Sequence, residues 1–319
     1  MRSVVVFLFA LTFFSIYVNA NPHDGLEDGV LLGDLTKLDP TLPPGKNFDL
    51  LDWTLSIPVD QKKKGIAVQV GENHLDNGFQ VEPLFFTGDD GGMIFVAPNK
   101  GAKTSKNTKY TRTELRESLR RGNLSVKTKG PNKNNWVFGQ AHSSVKRKAG
   151  GVDGMLEATV AVNRVSTTGE RGRVGRVIIG QIHADKDEPL RIYYHKLPEN
   201  DKGSFYIAHE VSKGDDEYYN FVGSRSKSID SPEDGIRLGE KFSYKVSVEV
   251  DQLYVTLIRE GKPNITKQID MSESGYGNSK EYMYFKAGVY NQNNTGDDKD
   301  YVQATFYHLE NSHKGYKHK

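Results

Sequence analysis

Three short segments carry side chains whose types and phasing suit chemistry. In Arg112-Thr113-Glu114-Leu115-Arg116, an extended chain puts Arg112, Glu114 and Arg116 on one side and Thr113 and Leu115 on the other. In Gln181-Ile182-His183, Gln181 and His183 share a side and Ile182 points away. From Tyr284 to Gln292, Tyr284, Lys286, Gly288, Tyr290 and Gln292 alternate with Phe285, Ala287 and Val289. Each segment pairs an apolar face with a face rich in Arg, Gln, His, Lys or Tyr. Each alone has an ordinary reading: a surface ion-pair ladder, a structural histidine, tyrosines on a sheet. Together they suit removal of a proton α to a carboxylate. Arg and a side-chain amide neutralise that carboxylate and stabilise the enolate-like charge that develops. His or Tyr takes the proton, and Tyr can give one to a departing oxygen.

Other chemistries lack their residues. Glycoside hydrolysis needs two carboxyl groups flanking the bond. Glu249 and Asp251 alternate, but no third carboxylate follows and that strand reads as structural. Glu114, between two arginines, stays ionised and is a poor acid. There is no Gly-x-Ser-x-Gly elbow and no His-Glu-x-x-His motif. The absence of cysteine excludes a disulfide scaffold and cysteine-ligated metals. Among 319 residues, 43 Lys+Arg against 41 Asp+Glu leave a net charge of +2, so no nucleic-acid partner is expected. β-Elimination on a uronic-acid polymer fits the residues instead. It needs no metal or cofactor, and a groove lined with cations attracts a polyanion whatever the net charge.

Alternation of this kind requires strands. About eleven short runs of β-branched and aromatic residues, separated by Gly, Asp, Asn and Lys, predict an all-β sandwich or barrel. The run from Phe242 to Val250 is the clearest. Phe242, Tyr244, Val246, Val248 and Val250 read as its core face, and Ser243, Lys245, Ser247 and Glu249 as its solvent face. A further strand is expected at 136–142, inside a basic loop region over 121–150. A cysteine-free chain of this length can hold on one large core, and no second composition shift marks another domain.

The ends read differently. Arg2, an apolar run from Val4 to Val18 and Ala20 form a signal-peptide pattern over 1–20. A secreted protein with no membrane segment after cleavage is therefore expected. Residues 21–45 read as a lead-in, 46–311 as the main domain and 312–319 as a frayed basic tail. Asn123, Asn264 and Asn293 begin N-glycosylation triplets.

The three segments, in this order, resemble the signature motifs of the alginate lyases of polysaccharide lyase family 7. The likeness extends from about Phe48 to about Leu309. It implies a β-jelly roll whose concave sheet forms the alginate groove, acting as a monomer without metal or cofactor. It implies that Arg112 and Gln181 neutralise the C5 carboxylate. His183 would be the base toward guluronate, and Tyr290 the acid, or both acid and base toward mannuronate. Glu114, Arg116, Tyr284, Lys286 and Gln292 would bind and orient substrate. Ile182 at the centre of the second motif resembles forms that accept guluronate-containing chains, and an open groove implies endolytic cleavage. The alternatives are a non-catalytic carbohydrate-binding jelly roll and a lyase for another uronate polymer such as glucuronan.

Overall fold

The computed structural model describes residues 25–318 apart from 227, 229 and 279. The expected signal segment lies outside the described residues. Among the described residues, helix is limited to a 3-10 turn at Leu35–Lys37 and single α-helical turns at Pro44–Asn47, Glu72–Asp76 and Ser143–Lys146. The strands in chain order begin with β1 Trp53–Ile57, β2 Val68–Val70, β3 Phe85–Thr87, β4 Met93–Pro98, β5 Arg112–Glu117 and β6 Trp136–Val137. Next come β7 Gly151–Arg164, β8 Arg176–His183, β9 Leu190–His195, β10 Lys202–Glu210, β11 Asp216–Val222 and β12 Ile236–Arg237. The last are β13 Lys241–Glu249, β14 Gln252–Arg259, β15 Ile265–Asp270, β16 Tyr284–Asn291 and β17 Tyr301–Lys314.

They form two sheets. One runs β11-β10-β9-β8-β16-β5-β1-β2, and the other β15-β14-β13-β7-β17-β4-β3, with antiparallel neighbours along both paths. The apolar faces meet in one core. Leu115, Ile182, Phe285, Ala287 and Val289 come from the first sheet, and Phe95, Val160, Phe242, Val246 and Phe306 from the second. Each large side chain so buried contributes about 1.5–3 kcal/mol relative to exposure. This is the expected all-β jelly-roll sandwich, and it leaves the outer face of the first sheet to carry chemistry.

Four expectations change. Ser243 and Ser247 are buried, not solvated. The lead-in covers that face: Leu32 N–H donates to Ser243 Oγ at 2.9 Å, and Thr159 Oγ donates to the Leu32 carbonyl at 2.7 Å. Val250 leaves the alternation in a turn with φ of 59°. The strand expected at 136–142 shrinks to β6, because the chain then turns into the Ser143–Lys146 helix.

The C-terminal tail is docked rather than frayed. β17 runs to Lys314, and the His313 ring lies between Glu117 Oε1 and the Asp153 carbonyl, 2.7 Å from each. The Tyr316 hydroxyl and His318 reach Asp52. Of the glycosylation triplets, Asn293 is buried, and its amide nitrogen donates to Ser166 Oγ and the Thr168 carbonyl. A glycan there would displace both bonds. Asn123 is exposed.

Candidate active site

The three predicted strands lie side by side as β8-β16-β5 in the middle of the first sheet. Register aligns their polar faces: Lys286 pairs with Gln181 on one side and Arg116 on the other, Tyr284 pairs with His183, and Tyr290 with Arg112. Above them opens a cleft of about 700 Å³. Arg112, Arg116, His183, Tyr284, Lys286, Tyr290 and Gln292 all line it.

Glu114 sits beneath this floor and is 1% exposed. Arg112 Nη1 donates to its Oε2 at 2.7 Å, and Lys286 Nζ and Gln181 Nε2 are also bonded to it. The sequence-based expectation that Glu114 binds substrate therefore changes. Its carboxylate is shielded and already holds three partners, so it positions Arg112 and Lys286, which face the cleft, together with Gln181, which is itself 1% exposed and lies beneath the floor. Two cations and one carboxylate leave the cluster net positive. Lys286 is pushed down to about 8, by burial and then by Arg112, although Glu114 opposes the shift.

His183 donates from Nδ1 to the Ala184 carbonyl at 2.6 Å, which leaves the Nε2 lone pair toward the cleft. Burial, then Lys286, pushes His183 down to about 3, so it is neutral across the physiological range. Its ring stacks on Tyr284, with centroids 5.0 Å apart. The Arg116 guanidinium covers the Tyr284 ring at 3.9 Å. The Arg112 guanidinium covers the Tyr290 ring at 3.6 Å. Burial raises Tyr290 above the ordinary phenol range, with Arg112 opposing, so this hydroxyl keeps its proton. A neutral base and a protonated phenol thus face one cleft beside two cations.

Gly288 at mid-strand has φ of 130°, and a Cβ there would lie 2.7 Å from the Thr113 carbonyl oxygen. The close approach is by neighbouring backbone. At the same level β8 and β16 lose register, with Gly288 and Val289 opposite Ile179. This bulge turns Ile179 into the core and Ile178 toward Tyr290.

Sequence reasoning missed several lining residues. Glu188, in the β8–β9 turn, brings Oε1 to 3.3 Å from His183 Nε2. Burial pushes Glu188 up to about 7, with Arg191 opposing and Glu210 adding to the rise. Arg191 and Lys129 also line the cleft. Lys129 belongs to the basic 121–150 region, which Arg116 ties down by donating to the Thr128 carbonyl at 2.8 Å and Asn135 Oδ1 at 2.9 Å. That region is part of the groove wall. Period-two reading of Arg191-Ile-Tyr-Tyr-His195 marks Arg191 as polar-faced, whereas the turn residues gave no such signal.

Comparison with known proteins identifies the family of the chain. The family model described as alginate lyase matches residues 48–313. A curated alginate lyase from Klebsiella pneumoniae is 53% identical over 279 residues, covering 85% of this chain and 91% of that protein. The crystal structure of the alginate lyase from Klebsiella pneumoniae superposes with a TM-score of 0.84 at 52% identity, covering 86% of this chain and 99% of that one. Alginate lyase A1-II', a member of polysaccharide lyase family 7, superposes with a TM-score of 0.62 at 25% identity, covering 85% and 98%. The chain belongs to the alginate lyases of polysaccharide lyase family 7.

Proposed function

We propose that this alginate lyase is secreted, cuts within chains and accepts guluronate-containing stretches. The observation that carries the mechanism is the pairing of a neutral His183 with a protonated Tyr290 in one cationic cleft. The reacting uronate seats its carboxylate against Arg112, with Gln181 and Lys286 behind it. His183 Nε2 takes the C5 proton. The freed electron pair forms the C4–C5 double bond as the C4–oxygen bond breaks, and Tyr290 protonates the leaving oxygen. Charge on the enolate-like intermediate rests against the cations that Glu114 holds in place. Tyr290 can reach both roles toward mannuronate only after losing its proton, which its raised pKa opposes.

The N-terminal charge-and-apolar pattern supports secretion. The cleft's extension from Gln69 on β2 to Arg191 on β9 supports internal cleavage. The test is Tyr290→Phe. It should abolish the new ultraviolet absorbance of unsaturated ends on alginate while polymer binding persists. Largely intact turnover would remove Tyr290 as the donor. Initial rates on polyguluronate and polymannuronate rank the blocks, and viscosity falling ahead of absorbance marks internal cleavage.

A further inference from the structure

The first sheet holds a second cationic hollow. It encloses about 540 Å³ and is lined by Gly172, Arg176, His195, Ser224, Arg225 and Ser226. Arg176 pairs across the sheet with His195, and His195 with Ser204. Two residues along, Ile178, Tyr193 and Tyr206 form the parallel row that packs with Tyr290. The hollow therefore opens on the catalytic face. Tyr290 pairs with Ile178, so Arg176 lies one strand over and two residues along, roughly 8 Å between Cα atoms.

Its charge is uncompensated. Arg120, Arg121, Arg191 and Arg259 each pair with a carboxylate. Among the described residues no carboxylate lines this hollow, and neither Arg176 nor Arg225 has an acidic partner. An aromatic ring holds Arg225 instead. The Arg225 guanidinium sits 3.9 Å over the Tyr218 ring, and Arg176 acts on the Tyr206 hydroxyl. Such contacts orient a cation without neutralising it. Arg176 Nε is buried with no hydrogen-bond partner. The neighbouring His195 is held neutral, its pKa pushed down to about 4 by burial and then by Arg176. Two planar forks with serine hydroxyls beside them match a carboxylate on a hydroxylated ring.

We propose that Arg176 and Arg225 form a second carboxylate-binding subsite, which seats a uronate of the chain beside, not at, the bond that breaks. The assignment rests on alginate being the substrate. A neutral subsite would leave the polymer's flanking charge in water; this one gives it two preorganised donors at each productive pose. It contributes affinity for longer chains and takes no part in proton transfer.

The test compares wild type, Arg176→Gln and Arg225→Gln on alginate and on uronate oligomers of increasing length. On long chains each variant should raise KM roughly fivefold, equivalent to about 1 kcal/mol, with kcat nearly unchanged. On the shortest oligomer cleaved, the KM ratio should be near one. The penalty should shrink at high salt, which screens exposed charge. Unchanged KM at every length overturns the proposal. So does the same penalty at every length, or a loss confined to kcat. Arg225 is exposed, so its variant remains informative if Arg176→Gln folds poorly. Failure of the wild type to cleave alginate would instead overturn the substrate reading.

Discussion

Replacing Glu114 by Gln should destabilise the protein in a pH-dependent way. Among the described residues, Glu114 is the only carboxylate bonded to Arg112 and Lys286, whose side chains are 10% and 8% exposed. Gln keeps the shape and removes the counter-charge. One of its terminal atoms also becomes a donor facing a donor, since Arg112, Lys286 and Gln181 all donate to Glu114. Breaking a buried pair by removing one partner costs about 3–5 kcal/mol. For a domain of this size that is about 2 °C per kcal/mol, or a melting temperature lower by about 6–10 °C.

The pH dependence follows from Lys286. Its folded pKa of about 8 is depressed from the ordinary value of 10.5. Folding therefore gains stability as pH rises from about 8 toward 10.5, where only the unfolded state keeps the proton. Without Glu114 the Lys286 pKa falls further. Below about 8 the variant then bears a cost that wild type avoids, whereas above it both native states hold neutral Lys286. Thermal unfolding at pH 6 and pH 9 should show the larger gap at pH 6, with the residual gap at pH 9 due to Arg112. Turnover should fall roughly 100-fold, because Arg112 and Gln181 lose their common anchor. A gap at pH 6 worth under about 1 kcal/mol would refute the counter-charge role, since it is below the cost of a broken buried pair. An equal gap at both pH values would refute the coupling to Lys286.

Two further outcomes follow from single contacts. kcat/KM on alginate should fall above pH 8 at constant ionic strength, as Lys286 changes from charged to neutral, and Lys286→Arg should flatten that alkaline limb; an unmoved limb would assign it elsewhere. His313→Ala should cost about 3 kcal/mol in thermal unfolding with kcat largely kept, because it opens a cavity and removes one of Glu117's partners.

Much of the site was legible because period two is a strong constraint where one sheet face is buried. Leu115, Ile182, Phe285, Ala287 and Val289 announce a core face, so their alternates must line the other. Side-chain type then separates Arg, Gln, His and Tyr from an ordinary solvent face. What was not legible depends on partners distant in the chain. Ser243 looks solvated until Leu32, more than two hundred residues away, caps it. His313 looks like tail until Glu117 and Asp153 enclose it. Glu188 looks like a turn residue until the sheet brings it over His183. The bulge at Gly288 is visible as a glycine, but its effect on Ile178 and Ile179 appears only when β8 pairs with β16.

The cations of the cleft bear on the base as well as on the substrate. Burial first, then Lys286 and, more weakly, Arg112, push His183 down to about 3. A base so weak is poorly matched to a carbon acid. In the proposed mechanism the reacting carboxylate seats against Arg112, with Lys286 behind it. Its negative charge offsets theirs at close range, so the proton affinity of His183 rises when substrate arrives. The base strengthens only when the proton it must take is in place. This orders the two acid limbs: kcat reports the complex and kcat/KM the free species, so the kcat limb should lie at the higher pH. Titration of the free polymer's own carboxylates raises only the kcat/KM limb. It therefore works against the predicted order and cannot produce it. Both limbs should be measured on polyguluronate, where His183 is the proposed base. Coincident limbs, or a kcat limb at the lower pH, would show that Lys286 and Arg112 do not set the strength of His183.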